Sequence, residues 1–100
     1  MQKIVVYWRD IPSQIIVKRG RQRGKAALPQ RFQEAIDRAA MRAGRGGSEA
    51  YMADWRRVTT DLTGSGDLDQ MAGQEAVTLE AQYGDDRLRL LVANFGLAAE

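Results

Sequence analysis

The chain is 100 residues long, 44% hydrophobic and 28% charged, with a formal net charge of +2 and neither cysteine nor histidine. That length holds one small domain, and that balance of apolar and charged residues belongs to a globular chain rather than to a disordered tail or a membrane protein. Without cysteine or histidine there are no disulfides, thiol nucleophiles, Ser-His-Asp triads, Cys/His zinc sites or haem ligands.

The charge is unevenly spread. Residues 1–25 carry seven basic side chains against Asp10 alone, whereas residues 58–100 carry Arg87 and Arg89 against eight acids. Such a sequence dipole steers an anionic partner to one end of the chain, or draws the two ends together on folding; both readings stand at this point. The apolar run Ile4 to Trp8 is shorter than the ~7–15 residues of a signal-peptide core, and no window approaches the ~20 needed to span a bilayer. A cytoplasmic protein with no membrane association is expected.

Taken in order, Gln2 to Arg9 alternates as a strand does, with Ile4, Val6 and Trp8 expected on the inner face and Lys3, Val5, Tyr7 and Arg9 on the outer. Asp10-Ile11-Pro12-Ser13 predicts a turn, because Pro12 fixes its own φ and disfavours helix at Ile11. Gln14 to Arg19 then predicts a second strand around Ile15, Ile16 and Val17. The result is a hairpin whose edges no further predicted strand covers. Gly20 to Lys25 reads as a loop and the least ordered stretch.

From Leu28 to Ala43 the apolar positions recur by threes and fours, Pro29 suits a first turn and Gly44 a left-handed stop, so a helix is predicted. Ser48 is a good N-cap for a second helix with Tyr51, Met52, Trp55, Val58 and Leu62 on one stripe, Trp55 in the core, Arg57 and Asp61 paired outside, and a break at Gly64-Ser65-Gly66. A third helix starts at Asp67, with Gln70 as its capping-box partner, and buries Leu68, Met71, Ala72, Ala76, Leu79 and Tyr83. Beyond Gly84, the spacing of Leu88, Leu91, Val92 and Phe95 favours a fourth helix over the alternative, a strand from Arg87 to Phe95. The sum is a single α+β domain over residues 1–100, an N-terminal β-hairpin packed on three or four α-helices.

Two segments carry candidate binding residues. Lys18, Arg19, Arg21, Arg23 and Lys25, with two glycines among them, form a basic stretch suited to phosphates; the competing reading is a solvated loop, favoured by the lack of interleaved aromatics for base stacking. Tyr7 and Arg9, expected to point outward beside the turn formed by Asp10 and Pro12, resemble a protein-binding hot spot. Catalysis finds less support. No paired-carboxylate or phosphate-loop signature is present, and Asp85-Asp86 and Asp67-x-Asp69 sit where helix caps want acids, so neither a metal nor a cofactor is expected.

The segments Val6-Tyr7-Trp8-Arg9-Asp10-Ile11-Pro12-Ser13-Gln14-Ile15-Ile16, Gly24-Lys25-Ala26-Ala27-Leu28-Pro29-Gln30-Arg31-Phe32 and Ala50-Tyr51-Met52-Ala53-Asp54-Trp55 resemble the small bacterial virulence factor domain family. The resemblance runs to about Asp61 and contains no catalytic motif. In that family similar segments are fused to an iron-sulfur scaffold-like domain and to helical repeats, which implies an interaction module. Stand-alone alphaproteobacterial relatives lie near genes for folate- and corrinoid-dependent methyl transfer, which implies a methyltransferase or corrinoid protein as partner. Lacking cysteine, this chain cannot hold an iron-sulfur cluster through thiolates. The resulting expectation is a non-catalytic adaptor or accessory module, with anion or nucleic-acid binding by residues 18–25 as the alternative and an enzyme subunit completed by another chain as a third.

Overall fold

Residues 1–98, those the computed structural model describes, form the element order β1 (Gln2–Trp8), β2 (Ile11–Arg19), β3 (Gln22–Ala27), α1 (Gln30–Arg42), α2 (Ser48–Ala53), β4 (Trp55–Asp61), α3 (Leu68–Ala81) and α4 (Asp85–Ala93). The strands pair antiparallel in the order β3-β2-β1-β4. The architecture is α+β with the N-terminal hairpin at its centre, and the segment after Gly84 is the helix that its leucine spacing favours.

The turn expected over Asp10 to Ser13 is made instead at Arg9 and Asp10, with Ile11, Pro12 and Ser13 already in β2, and two further strands depart from the sequence expectation. Gly20 to Lys25 is not a loop: Gly20 at φ +60° supplies the first central residue of a two-residue turn between Arg19 and Gln22, and β3 folds back on β2 from there. β3 has little β-propensity of its own. It is held by α3, whose first turn packs on it: the Lys25 N–H donates to Asp69 Oδ1 at 3.0 Å, and Gly24 lies against the backbone of Leu68 and Asp69. The second helix stops at Ala53, and Trp55 to Asp61 is a strand pairing with the whole of β1, so Arg57 and Asp61 are not helical neighbours. The stripe Tyr51, Met52, Trp55, Val58, Leu62 has helical spacing, but the β-branched run Val58-Thr59-Thr60 is better accommodated in a strand. β4 therefore covers the β1 edge that the two-stranded reading left open.

α3 lies on one face of the sheet, over β2 and β3. Lys3, Val5 and Tyr7 of β1 look toward it, together with Ile15 and Val58, and the Lys3 ammonium stands 3.8 Å from Glu75 of α3. The faces of β1 are thus the reverse of the sequence expectation: Val5 belongs to the core, while Ile4 and Val6 lie on the side that α3 leaves uncovered. Trp8, in phase with Ile4 and Val6, is nevertheless fully buried, because α2 and the chain after α4 close over that end of the sheet. α1 buries Phe32, Ala35, Ile36, Ala39 and Ala40, packing on α4 and on the end of the sheet near Ile11.

The close approach of β3 to α3 gives a paired test. A methyl group at Gly24 collides with backbone that cannot swing away, whereas one at Gly73 in α3 meets open space. Chemical denaturation of Gly24→Ala is expected to show a loss of about 1–3 kcal/mol or a failure to fold. Gly73→Ala is expected to gain about 0.8–1 kcal/mol from helix propensity.

Candidate functional site

Residues Tyr7 to Pro12 are gathered at one end of the sheet, and the fold uses most of them internally. Arg9 adopts φ +52°, the left-handed conformation that side-chain-bearing residues rarely hold, and this reverses the chain between β1 and β2. The tight turn leaves backbone groups that must find partners elsewhere. The Arg9 N–H donates to the Asp54 carbonyl at 3.0 Å and the Asp10 N–H to the Gly96 carbonyl at 2.8 Å. The Arg9 guanidinium donates to Asp54 Oδ2 at 3.2 Å and to the Phe95 carbonyl at 2.8 Å, and Arg45 also pairs with Asp54. Asp10 accepts from Arg56 at 2.9 Å and from the Ala98 N–H at 2.7 Å, while Arg56 Nε donates to the Arg9 carbonyl. Beneath the turn, Trp8 donates from Nε1 to the Tyr51 carbonyl at 2.9 Å and stacks on the Tyr51 ring.

These contacts revise the orientation expected for two candidate residues. Arg9 does not point outward: its side chain is 17% exposed and lies between α2 and the chain after α4. Tyr7 is half-buried under α3, with the Arg56 guanidinium 4.6 Å from its ring centroid, and Pro12 is fully buried. Asp10 is partly exposed in its pair with Arg56.

The basic residues are distributed by strand alternation. Register puts Lys18 beside Arg23 on one row and Lys25 beside Ile16 and Ile4 on the next, with Arg57 beside Val6 and Gln14 on a third. Lys18, Arg23, Lys25 and Arg57 accordingly share the face opposite α3. Arg19 belongs to the other alternation and reaches Gln22, while Arg21 sits at the hairpin tip. Among the described residues none of these six cations has a carboxylate within 4.0 Å. The attraction between the basic and acidic ends of the chain is realised instead through Lys3 with Glu75.

Sequence reasoning placed Trp55 in a helical core. It stands half-buried at the start of β4, directly opposite Trp8, with Tyr51 edge-on to it at 5.8 Å. It lines a hollow of about 620 Å³ with Val6, Ser13, Gln14, Met52, Arg56 and Arg57. The aromatic that the basic stretch lacks in sequence therefore reaches the same sheet face in space. Its only sequence signal is the run Trp-Arg-Arg-Val-Thr-Thr, legible once those residues are read as a strand.

Among the described residues no group of three or more Asp or Glu is placed to hold an ion. Among the described residues the titratable group that departs from its ordinary value is the Tyr7 hydroxyl, whose pKa is raised above 10.0 chiefly by burial, with the Tyr83 and Asp10 charges acting in the same direction against Arg56 and Arg87. A phenol whose folded pKa is raised is equally protonated in both states below the unfolded value and holds its proton only in the folded state above it. Its contribution to stability is intact below pH ~10 and is lost as pH rises through the folded value. Thermal melts of wild type above pH 10 are expected to fall more steeply with pH than those of Tyr7→Phe, which removes the titration and keeps the ring.

No helix among the described residues is long and apolar enough to cross a membrane. No curated protein and no solved structure matches the chain. A family model described as Virulence factor matches residues 6–92, from the end of β1 through nearly all of α4, and so takes in the Arg9–Asp10 turn and the whole of β2, β3 and β4. The chain belongs to the Virulence factor family.

Proposed function

We propose that this domain is a non-catalytic accessory module of the cytoplasm that captures an extended segment of a partner protein along the free edge of β4. The observation that carries this reading is the inequality of the two sheet edges. The β3 edge is blocked by the first turn of α3, through Gly24 against Leu68 and the Lys25 N–H bonded to Asp69. The β4 edge has no strand or helix against it among the described residues, and Arg56 to Asp61 are exposed.

The ladder indicates which groups are available. Since the Lys25 N–H points away from β2, Ile16 directs its own toward β1, and Ile4 in turn directs its own toward Ile16. Thr59, opposite Ile4, is then turned outward, as are Arg57 and Asp61; the Leu62 N–H donating to the Met1 carbonyl fits the same phase. Three residues thus offer unpaired N–H and C=O groups in a row, the template that strand addition uses. Tyr7, Arg9, Asp10 and Pro12 support this edge by fixing the end of β1 and anchoring Arg56. The family resemblance makes a folate- or corrinoid-dependent methyl-transfer enzyme the first partner to test.

Proline at Thr59 removes an outward donor and no ladder bond, a position where a strand tolerates it. Affinity capture from the native cells is expected to recover a partner with wild type, and to lose at least tenfold of it with Thr59→Pro that remains folded by circular dichroism. Full recovery by the folded variant contradicts the edge reading.

A further inference from the structure

The sheet face opposite α3 is a second surface, separate from the β4 edge. Beneath it lie Ile4, Val6 and Ile16, the last two buried, and its rim carries Lys18, Arg23, Lys25 and Arg57. Asp61 is the one acid in this alternation, at a corner beside Gln2. Strands lie about 4.8 Å apart, so the rim cations on β3 and on β4 face each other across about 14 Å of flat sheet. The fold gives these charges no internal counter-ion among the described residues, although the chain carries 13 acidic side chains. At one end of the floor the Trp55 hollow brings together an aromatic ring, the Gln14 amide and the Arg57 guanidinium.

We infer that this face binds single-stranded nucleic acid, with one base seated in the hollow against Trp55 and the phosphates spread over Arg57, Lys25, Lys18 and Arg23. The charge complementarity selects an anionic polymer. The half-buried tryptophan beside an arginine selects one that has flat aromatic groups next to its charges, since a base stacks on an indole ring and its phosphate reaches the neighbouring cation. An acidic peptide shares the charge and lacks that pairing; a duplex shares the phosphates and keeps its bases stacked inside. Arg19 and Arg21, off this face by alternation and position, contribute little.

The two tryptophans make the test direct. Trp8 is fully buried and Trp55 is not, so quenching of protein fluorescence by bound bases reports on Trp55. Titration of the full chain with a short oligothymidylate is expected to give saturable quenching, with affinity falling as salt rises at a log–log slope of about −3, as four neutralised phosphates require on a single strand. Lys25→Gln with Arg57→Gln, both exposed, is expected to halve that slope and weaken binding at least tenfold, while Arg38→Gln on α1 changes neither. Thr59→Pro, which blocks the β4 edge, is expected to bind the oligonucleotide as wild type does, so the two surfaces fail or succeed separately. Absence of quenching at low salt overturns the inference. Equal affinity for a duplex of the same length or for poly-glutamate also overturns it, because either reduces the face to a surface of charge alone.

Discussion

The reversal at Arg9 and Asp10 is the constraint on which the rest of the molecule depends. A left-handed residue costs free energy relative to ordinary backbone, on the order of 1 kcal/mol, and persists only where the surroundings hold it. Here they do so from three directions: Asp54 after α2, the Phe95 and Gly96 carbonyls after α4, and Arg56 from β4. Gly96 is itself at φ +86°, and a side chain there would run into the Trp8 ring. One turn of two residues therefore ties together the end of β1, the junction of α2 with β4 and the chain after α4. In a chain of 100 residues, with a correspondingly small core, such a knot of charged hydrogen bonds supplies much of the specificity that a larger interior supplies elsewhere.

The same knot explains how one side of the molecule stays uncovered. With α1, α2 and α4 gathered around the turn and α3 laid over β2 and β3, no helix among the described residues remains for the opposite face or for the edge of β4. Ile16 and Val6 on that face are nevertheless buried. The face is consequently apolar at its floor and cationic at its rim, and the edge beside it is exposed backbone.

Helical periodicity was the most legible signal in the sequence. α1, α3 and α4 follow from apolar spacing and caps, down to the Asp67 carboxylate accepting from the Gln70 N–H. The strands were less legible for two distinct reasons. β4 lies in a window where Tyr51, Met52, Trp55, Val58 and Leu62 satisfy a helical stripe, and only the β-branched Val58-Thr59-Thr60 and the need of β1 for a partner argue otherwise. β3 is Gln-Arg-Gly-Lys-Ala-Ala, whose pairing depends on α3 more than forty residues later in the chain. The faces of β1 were reversed because both alternations are apolar, Ile4 and Val6 on one and Val5 and Tyr7 on the other. The basic candidates were visible as charges, yet which of them act together depends on register and on Trp55 arriving from β4.

A pinned turn at one place and an available edge at another is a statement about local stability, and amide hydrogen exchange measures it residue by residue in the native protein. The Arg9 and Asp10 amides, bonded to Asp54 and Gly96, are expected to exchange only through global unfolding, at the rate of the slowest core amides. The Arg57, Thr59 and Asp61 amides are expected to exchange fast in the free protein, while those of Arg56, Val58 and Thr60, turned toward β1, are protected. Fast exchange at Arg9 and Asp10, or uniform protection along β4, contradicts the account.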